Sequence, residues 1–164
     1  MRRTKRYTLK SGGNPLFHIY QTVSFWKTFK NTVVIEASRF VPFVRVKNAL
    51  YRRLLGMKIG DGTAFAYKVV PDIMFPEQIT VGRNTIIGYN TTILAHEYLT
   101  DEYRIGPVVI GDDVMIGANC TILPGIEIGD GAIVSAMTLV NKDVPPGAFA
   151  RGNPMTIKPV SANG

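Results

Sequence analysis

One histidine in this sequence stands where an imidazole could do chemistry. His96 follows the run Thr91-Thr-Ile-Leu-Ala and opens a polar stretch, Glu97-Tyr-Leu-Thr-Asp-Glu-Tyr-Arg, that closes at Gly106-Pro107. A neutral imidazole, with an ordinary pKa near 6.5, accepts a proton from a hydroxyl or amine at working pH. His18 is the only other histidine. A three-histidine zinc site therefore has no ligand set, and no metal is expected. Two carboxylates compete for supporting roles. Asp72, after Pro71, suits either a hydrogen bond to an acceptor hydroxyl or a plain turn. Glu97 suits orientation of His96, an acceptor contact, or a solvent-facing position. The single cysteine, Cys120, cannot form an internal disulfide, so nothing demands an oxidising compartment and the cytoplasm is expected.

The elements that would hold these groups announce themselves by a period of six. Ile110, Ile116, Ile122, Ile128, Val134 and Val140 fall at that interval, and Val81, Ile87 and Ile93 repeat it upstream. A helix would repeat near 3.6 and a strand at 2. Four places after each anchor stands a compact residue, among them Thr85, Thr91, Val114, Cys120, Ala132 and Thr138. It lies two before the next anchor, so both point to the same side of a short strand. Three strands make one 18-residue triangular coil, with Ile110 over Ile128, Ile116 over Val134 and Ile122 over Val140. Cys120 is then core, not nucleophile. Glycine after many anchors is expected to supply an unusual φ/ψ at the turns. Ile59-Gly-Asp-Gly-Thr reads as the opening rung. It is out of phase with Val81, which predicts an irregular coil containing Pro71 and Pro76. The second break, between Ile93 and Ile110, predicts an irregular loop around 95–107 that carries His96.

The rungs Ile110-Gly-Asp-Asp-Val-Met, Ile116-Gly-Ala-Asn-Cys-Thr and Ile128-Gly-Asp-Gly-Ala-Ile resemble the hexapeptide repeats of left-handed β-helix acyltransferases. The tail, Asn141-Lys-Asp-Val-Pro-Pro-Gly followed by Gly152-Asn-Pro, is similar to that of the maltose, galactoside and xenobiotic O-acetyltransferase branch. The resemblance spans about residues 59–158. It implies a mainly β fold, a left-handed parallel β-helix, and a homotrimer with its sites between subunits. It further implies transfer of an acetyl group from acetyl-CoA to a hydroxyl acceptor, with His96 as general base. The backbone N–H after Gly117, that of Ala118, matches the oxyanion donor. Ala136, Asn141 and Lys142 match positions lining the CoA groove. Met115 departs from a tryptophan common in this branch. Thr156 departs from an arginine that often meets a CoA phosphate, which leaves Lys158 as its substitute. Zinc carbonic anhydrases of the γ type share the β-helix but need the missing histidines. A β-helix scaffold without activity, or a membrane-surface protein that has lost it, is the alternative reading.

Charge divides the chain at Ile59. Residues 1–58 carry thirteen Lys or Arg and one acid, Glu36; residues 59–164 carry six and eleven, which restores the overall +7. The organisation expected is a basic, aromatic-rich helical segment (1–58), a β-helix (59–145) and a C-terminal tail (146–164). Asn14-Pro15 resembles a helix start. Leu16, Ile19, Val23, Trp26, Val33 and Ala37 form an approximate helical stripe, Pro42 ends it, and a second short helix follows near Val44–Leu55. These helices suit a cap on the open end of the solenoid, or a contact with anionic membrane that would put the protein peripherally on its inner face. No recognised nucleic-acid module accompanies the charge. The basic N-terminus lacks the apolar core of a secretion signal, and no apolar run approaches the roughly 20 residues of a membrane span.

Overall fold

The computed structural model describes residues 2–8 and 14–159; those parts of the N- and C-terminal segments that fall at 1, 9–13 and 160–164 lie outside the described residues. The chain opens with strand β1 (Lys5–Thr8), then helices α1 (Ile19–Thr22), α2 (Phe25–Arg39) and α3 (Val44–Leu54). The first coil is β2 (Lys58–Ile59), β3 (Ala64–Phe65) and β4 (Val70–Pro71); the second is β5 (Ile79–Val81), β6 (Ile86–Ile87) and β7 (Thr92–Ile93). A hairpin, β8 (His96–Tyr98) and β9 (Glu102–Ile105), interrupts the winding. The third coil is β10 (Val108–Ile110), β11 (Met115–Ile116) and β12 (Thr121–Ile122); the fourth is β13 (Glu127–Ile128), β14 (Ile133–Val134) and β15 (Leu139–Val140). Strands β16 (Ala148–Arg151) and β17 (Thr156–Pro159) end the described chain.

These strands make the three faces of a parallel β-helix: β2, β5, β10 and β13; β3, β6, β11, β14 and β16; β4, β7, β12 and β15. β17 folds back antiparallel on β16 and closes that end. The register is the one expected, Ile110 on Ile128, Ile116 on Val134 and Ile122 on Val140. All six are buried, as are Val114 and Cys120 in the compact positions. Thr85 and Thr91, in the same positions, donate their hydroxyls to Gly111 and Gly117 carbonyls and accept from the Val114 and Cys120 amides. Their burial is therefore compatible with full hydrogen bonding.

Two expectations need correction. The first coil is regular, and Pro71 occupies an ordinary strand position beside Ile93. The phase slip comes from extra residues between Pro71 and Ile79, where a short 3-10 turn spans Pro76–Gln78. The post-anchor glycines also do not supply the left-handed turns. Those fall two places later, at Asn84, Asn90, Asp113 and Asn119, with φ of 51° to 57°, side chains that tolerate this region best after glycine. The glycines are needed for closeness: a Cβ on Gly117 would lie 2.4 Å from the Ala136 nitrogen of the next coil.

The N-terminal helices cap the first coil, whose backbone has no preceding coil to pair with. From α3, Lys47 donates to the Phe65 and Ala66 carbonyls, Asn48 to Thr63 and Arg52 to Ile59 and Gly60. Burial pulls the Lys47 pKa down. Ile35, Tyr51, Leu55 and Met57 join the same hydrophobic core as the rungs. The helical start at Asn14 holds, its side chain accepting from Leu16 N–H. The apolar stripe is split: Val23 is buried, but most of the stripe does not face inward. The chain breaks at Val23–Ser24, and α2 buries Asn31, Ile35 and Ser38 while Trp26 and Val33 are 73% and 52% exposed. The inner face must supply donors to a backbone edge, as Asn31 does to the Ile73 carbonyl.

Candidate active site

Both insertions fall at one corner of the β-helix, where the chain leaves the third face (β4, β7) for the first (β5, β10). In the second coil the corner extends into the β8–β9 hairpin; in the first it forms the compact turn 72–78. The two lie one above the other because Pro71 stacks beside Ile93. This stacking brings Asp72 to His96. Asp72 Oδ2 lies 2.6 Å from His96 Nδ1 and accepts the N–H groups of Ala95 (2.7 Å) and His96 (3.0 Å). Oδ1 accepts the N–H groups of Met74 and Phe75, each at 2.8 Å. The Asp72 side chain is wholly enclosed, whereas that of His96 keeps 13% exposure. Burial works to raise the Asp72 pKa. The hydrogen bond and charge of His96, with the Phe75 and Ala95 amides, outweigh it and hold the carboxyl below its ordinary value.

An ionised Asp72 can only accept hydrogen bonds, so it fixes the proton of a neutral imidazole on Nδ1 and leaves the lone pair on Nε2. No hydrogen bond to Nε2 is recorded among the described residues. The rings of Phe75 and Tyr98 flank the imidazole at 5.9 and 5.5 Å between centroids. Pinned on one nitrogen and walled by aromatic rings, the other nitrogen is available to take a proton.

The segment at 95–107 is not irregular. It is an antiparallel hairpin extended by β1, with Tyr7 stacked on Tyr103 at 4.9 Å. Glu97 does not orient His96; its carboxylate holds the Arg2 guanidinium through two bonds of 2.8 and 2.9 Å, with Arg104 at 3.4 Å. It therefore ties the N-terminal strand to the hairpin. Asp72, read as an acceptor contact or a turn residue, does hold the turn through the Met74 and Phe75 amides; its side chain has no exposed surface for an acceptor and also meets the His96 ring.

The remaining candidates divide between two corners. Ala118 and Ala136 stack at the corner between the second and third faces. Asn141 and Lys142 are exposed at the His96 corner, two coils further on, and Lys158 is exposed on β17. At the corner between the first two faces, the amides after Gly82 and Gly111 are capped by an aspartate of the next coil: Arg83 N–H by Asp112 and Asp112 N–H by Asp130. At its own corner Ala118 meets Ala136 instead of an aspartate, and its N–H has no partner among the described residues. One chain thus brings Asp72 to His96 but does not bring Ala118 to them. Burial pushes the Cys120 thiol up, away from nucleophilic reactivity. Among the described residues no group of three or more His, Cys, Asp or Glu could hold a metal.

Sequence reasoning missed the Asp72–His96 pair and the aromatic walls. A signal existed. Continuing the beat through Ile59, Phe65 and Pro71 puts Asp72 directly after an anchor at the corner that bears the larger insertion.

Residues 107–140 match the family described as hexapeptide repeat of succinyl-transferase. The provisionally named acetyltransferase YvoF of Bacillus subtilis (strain 168) is 66% identical over 157 residues, 96% of this chain and 91% of that protein. Among solved structures, a hexapeptide-repeat-containing acetyltransferase of Vibrio cholerae, complexed with acetyl coenzyme A, matches with a TM-score of 0.70 and 26% identity, over 83% of this chain and 88% of its own. A maltose O-acetyltransferase of Clostridium difficile 630 shares the fold at a TM-score of 0.66 and 21% identity, over 91% and 92% of the two chains.

Proposed function

Because the chain belongs to the hexapeptide-repeat, left-handed β-helix acyltransferase family, we propose that it moves an acetyl group from acetyl-CoA to a hydroxyl of a sugar or sugar-like acceptor, with His96 as general base. The observation that carries this reading is the 2.6 Å contact between His96 Nδ1 and the enclosed Asp72 carboxylate. In the reaction Nε2 takes the acceptor's hydroxyl proton as its oxygen bonds to the thioester carbonyl carbon. The tetrahedral intermediate bears an oxyanion, to which the Ala118 N–H donates. Collapse re-forms the carbonyl, breaks the carbon–sulfur bond, and returns the proton from Nε2 to the departing CoA sulfur. Asp72 keeps its charge throughout and stabilises the imidazolium. Ala136, Asn141, Lys142 and Lys158 are assigned to the CoA groove. An acceptor role for Asp72 is set aside because its carboxylate is enclosed.

The position of Ala118 away from His96 supports a site completed by a second copy. The outward side of the second face supports the same reading. Ala64, Ile86, Met115, Ile133 and Phe149 stand there in register, an uninterrupted apolar ladder. The first face instead presents Lys58, Thr80, Val109 and Glu127. We assign the ladder to the interface of a homotrimer. The free, buried Cys120 fits a reducing compartment and work in the cytoplasm.

Calorimetry with acetyl-CoA tests the donor without a guess about the acceptor. Saturable binding near one per subunit, followed by CoA release on addition of sugar acceptors and its loss in His96→Ala, is the expected result. A folded trimer that binds no acetyl-CoA would overturn the proposal in favour of a scaffold.

A further inference from the structure

We infer that the helical cap is a docking surface for an anionic lipid bilayer. The argument begins with the inverted pattern of α3. Its polar residues Lys47 and Asn48 are turned inward to the open edge of the first coil and are buried. Tyr51 joins the core, but Val44, Val46 and Leu54 are left outside, 40%, 48% and 42% exposed. Helix α2 adjoins it, Lys30 donating to the Leu54 carbonyl at 2.7 Å. The α2 outer face bears Phe25, Trp26 and Phe29, which pack on one another with centroids 5.3–6.2 Å apart and are all exposed. Capping has turned Lys47 and Asn48 inward and left these aromatic and aliphatic side chains in water.

Charge selects the occupant. Arg45 and Arg53 flank an apolar groove of about 370 Å3 on α3 formed by Val46, Ala49, Leu50 and Leu54. Neither arginine has an ion pair recorded among the described residues, and the segment's one acid, Glu36, is already bonded to Arg39. Residues 14–58, which form the cap, carry eight Lys or Arg against that one acid, a net +7. A second copy of this face would be repelled by that charge, whereas an anionic surface attracts it. Exposed tryptophan and phenylalanine beside arginine is the composition that settles at the boundary between headgroups and acyl chains. Among the described residues no helix is long and apolar enough to cross a membrane, so the contact is with the surface. The cap lies across an end of the solenoid, which leaves it free when copies associate through the apolar ladder on the side.

Trp26 is the only tryptophan in the chain and reports directly on this face. Full-length protein is mixed with phosphatidylcholine vesicles, with or without about 30% phosphatidylglycerol, at low and high salt. A blue shift of Trp26 emission together with co-flotation is expected on the anionic vesicles only, and salt reverses both. Arg45→Gln with Arg53→Gln weakens partitioning roughly thirtyfold. Val46→Ser with Leu54→Ser removes flotation while the circular dichroism spectrum and acetyl-CoA binding persist. Three results each overturn the inference: no flotation at low salt, equal binding to neutral vesicles, or Trp26 already shielded from a soluble quencher without lipid.

Discussion

Two aspartates in this protein each hold both the main chain and the side chain of one residue in another coil, in different surroundings. Asp112 accepts the backbone N–H of Arg83 and two bonds from its guanidinium; Asp72 accepts the backbone N–H of His96 and pairs with its ring. Each carboxylate ties main chain and side chain of one residue in an adjacent coil, and each has its pKa held down by those bonds. The first pair stands in solvent, with Arg83 74% exposed, where screening and side-chain entropy leave an ion pair little net worth. The second is sealed inside a corner turn. Such bonding fastens two coils in one place and holds an imidazole by Nδ1 in the other. Burial makes the difference, and the inserted residues at the His96 corner provide it.

This contrast breaks if chemistry is as sensitive to the exposed pair as to the enclosed one. His96→Ala is expected to lower turnover by about 10²–10⁴ with acetyl-CoA binding kept, while Arg83→Ala leaves turnover unchanged. Comparing CoA-thiol release with calorimetry for the two variants checks both halves. Asp72→Asn should come next. It frees the imidazole to adopt the wrong tautomer, so kcat falls by about 10² or more while KM for acetyl-CoA holds.

The same variant sharpens the comparison in stability. Asp72→Asn puts an amide among backbone donors and is expected to lose about 2 kcal/mol at neutral pH. Because the folded pKa of Asp72 is depressed, its contribution is fully present above the unfolded value of about 3.9 and disappears as pH falls through the lower folded value. Urea midpoints of wild type and variant should therefore converge as pH drops below about 4, and parallel curves would deny Asp72 that role. A smaller effect is expected at the hairpin. Arg2→Ala removes the Glu97 clamp, and amide exchange should quicken in β8 and β9 before the rungs. The smallest is Asp112→Asn, a slight shift in melting temperature that vanishes at high salt.

How much was legible differs by element. The rungs were, because a buried anchor every sixth residue leaves a mark that survives any choice of outward side chain; Ile116 and Ile122 pair as their spacing required. The place of His96, where the beat fails, was legible as well. Its contact with Asp72 was not, since an aspartate after proline reads equally well as a turn, and 24 residues separate the two. Glycine was read for the wrong property. Gly111 and Gly117 bear no unusual φ, and what excludes a side chain there is the following coil, at Asp130 and Ala136, each 19 residues distant in sequence. The cap was legible only as helices that suit an open end or a membrane; that α3 turns Lys47, Asn48 and Arg52 toward the backbone edge depends on a partner that local spacing does not reveal.

The sequence by itself therefore determined the period, the register of the anchors and the place of the interruption that carries His96, all of them consequences of local spacing and residue chemistry. Only the tertiary structure decided that two insertions share a corner, that a carboxylate is enclosed against the histidine, and that the cap leaves Trp26, Val46 and Leu54 outside. Each of these depends on what one coil presents to the next, and that juxtaposition exists only once the coils are stacked.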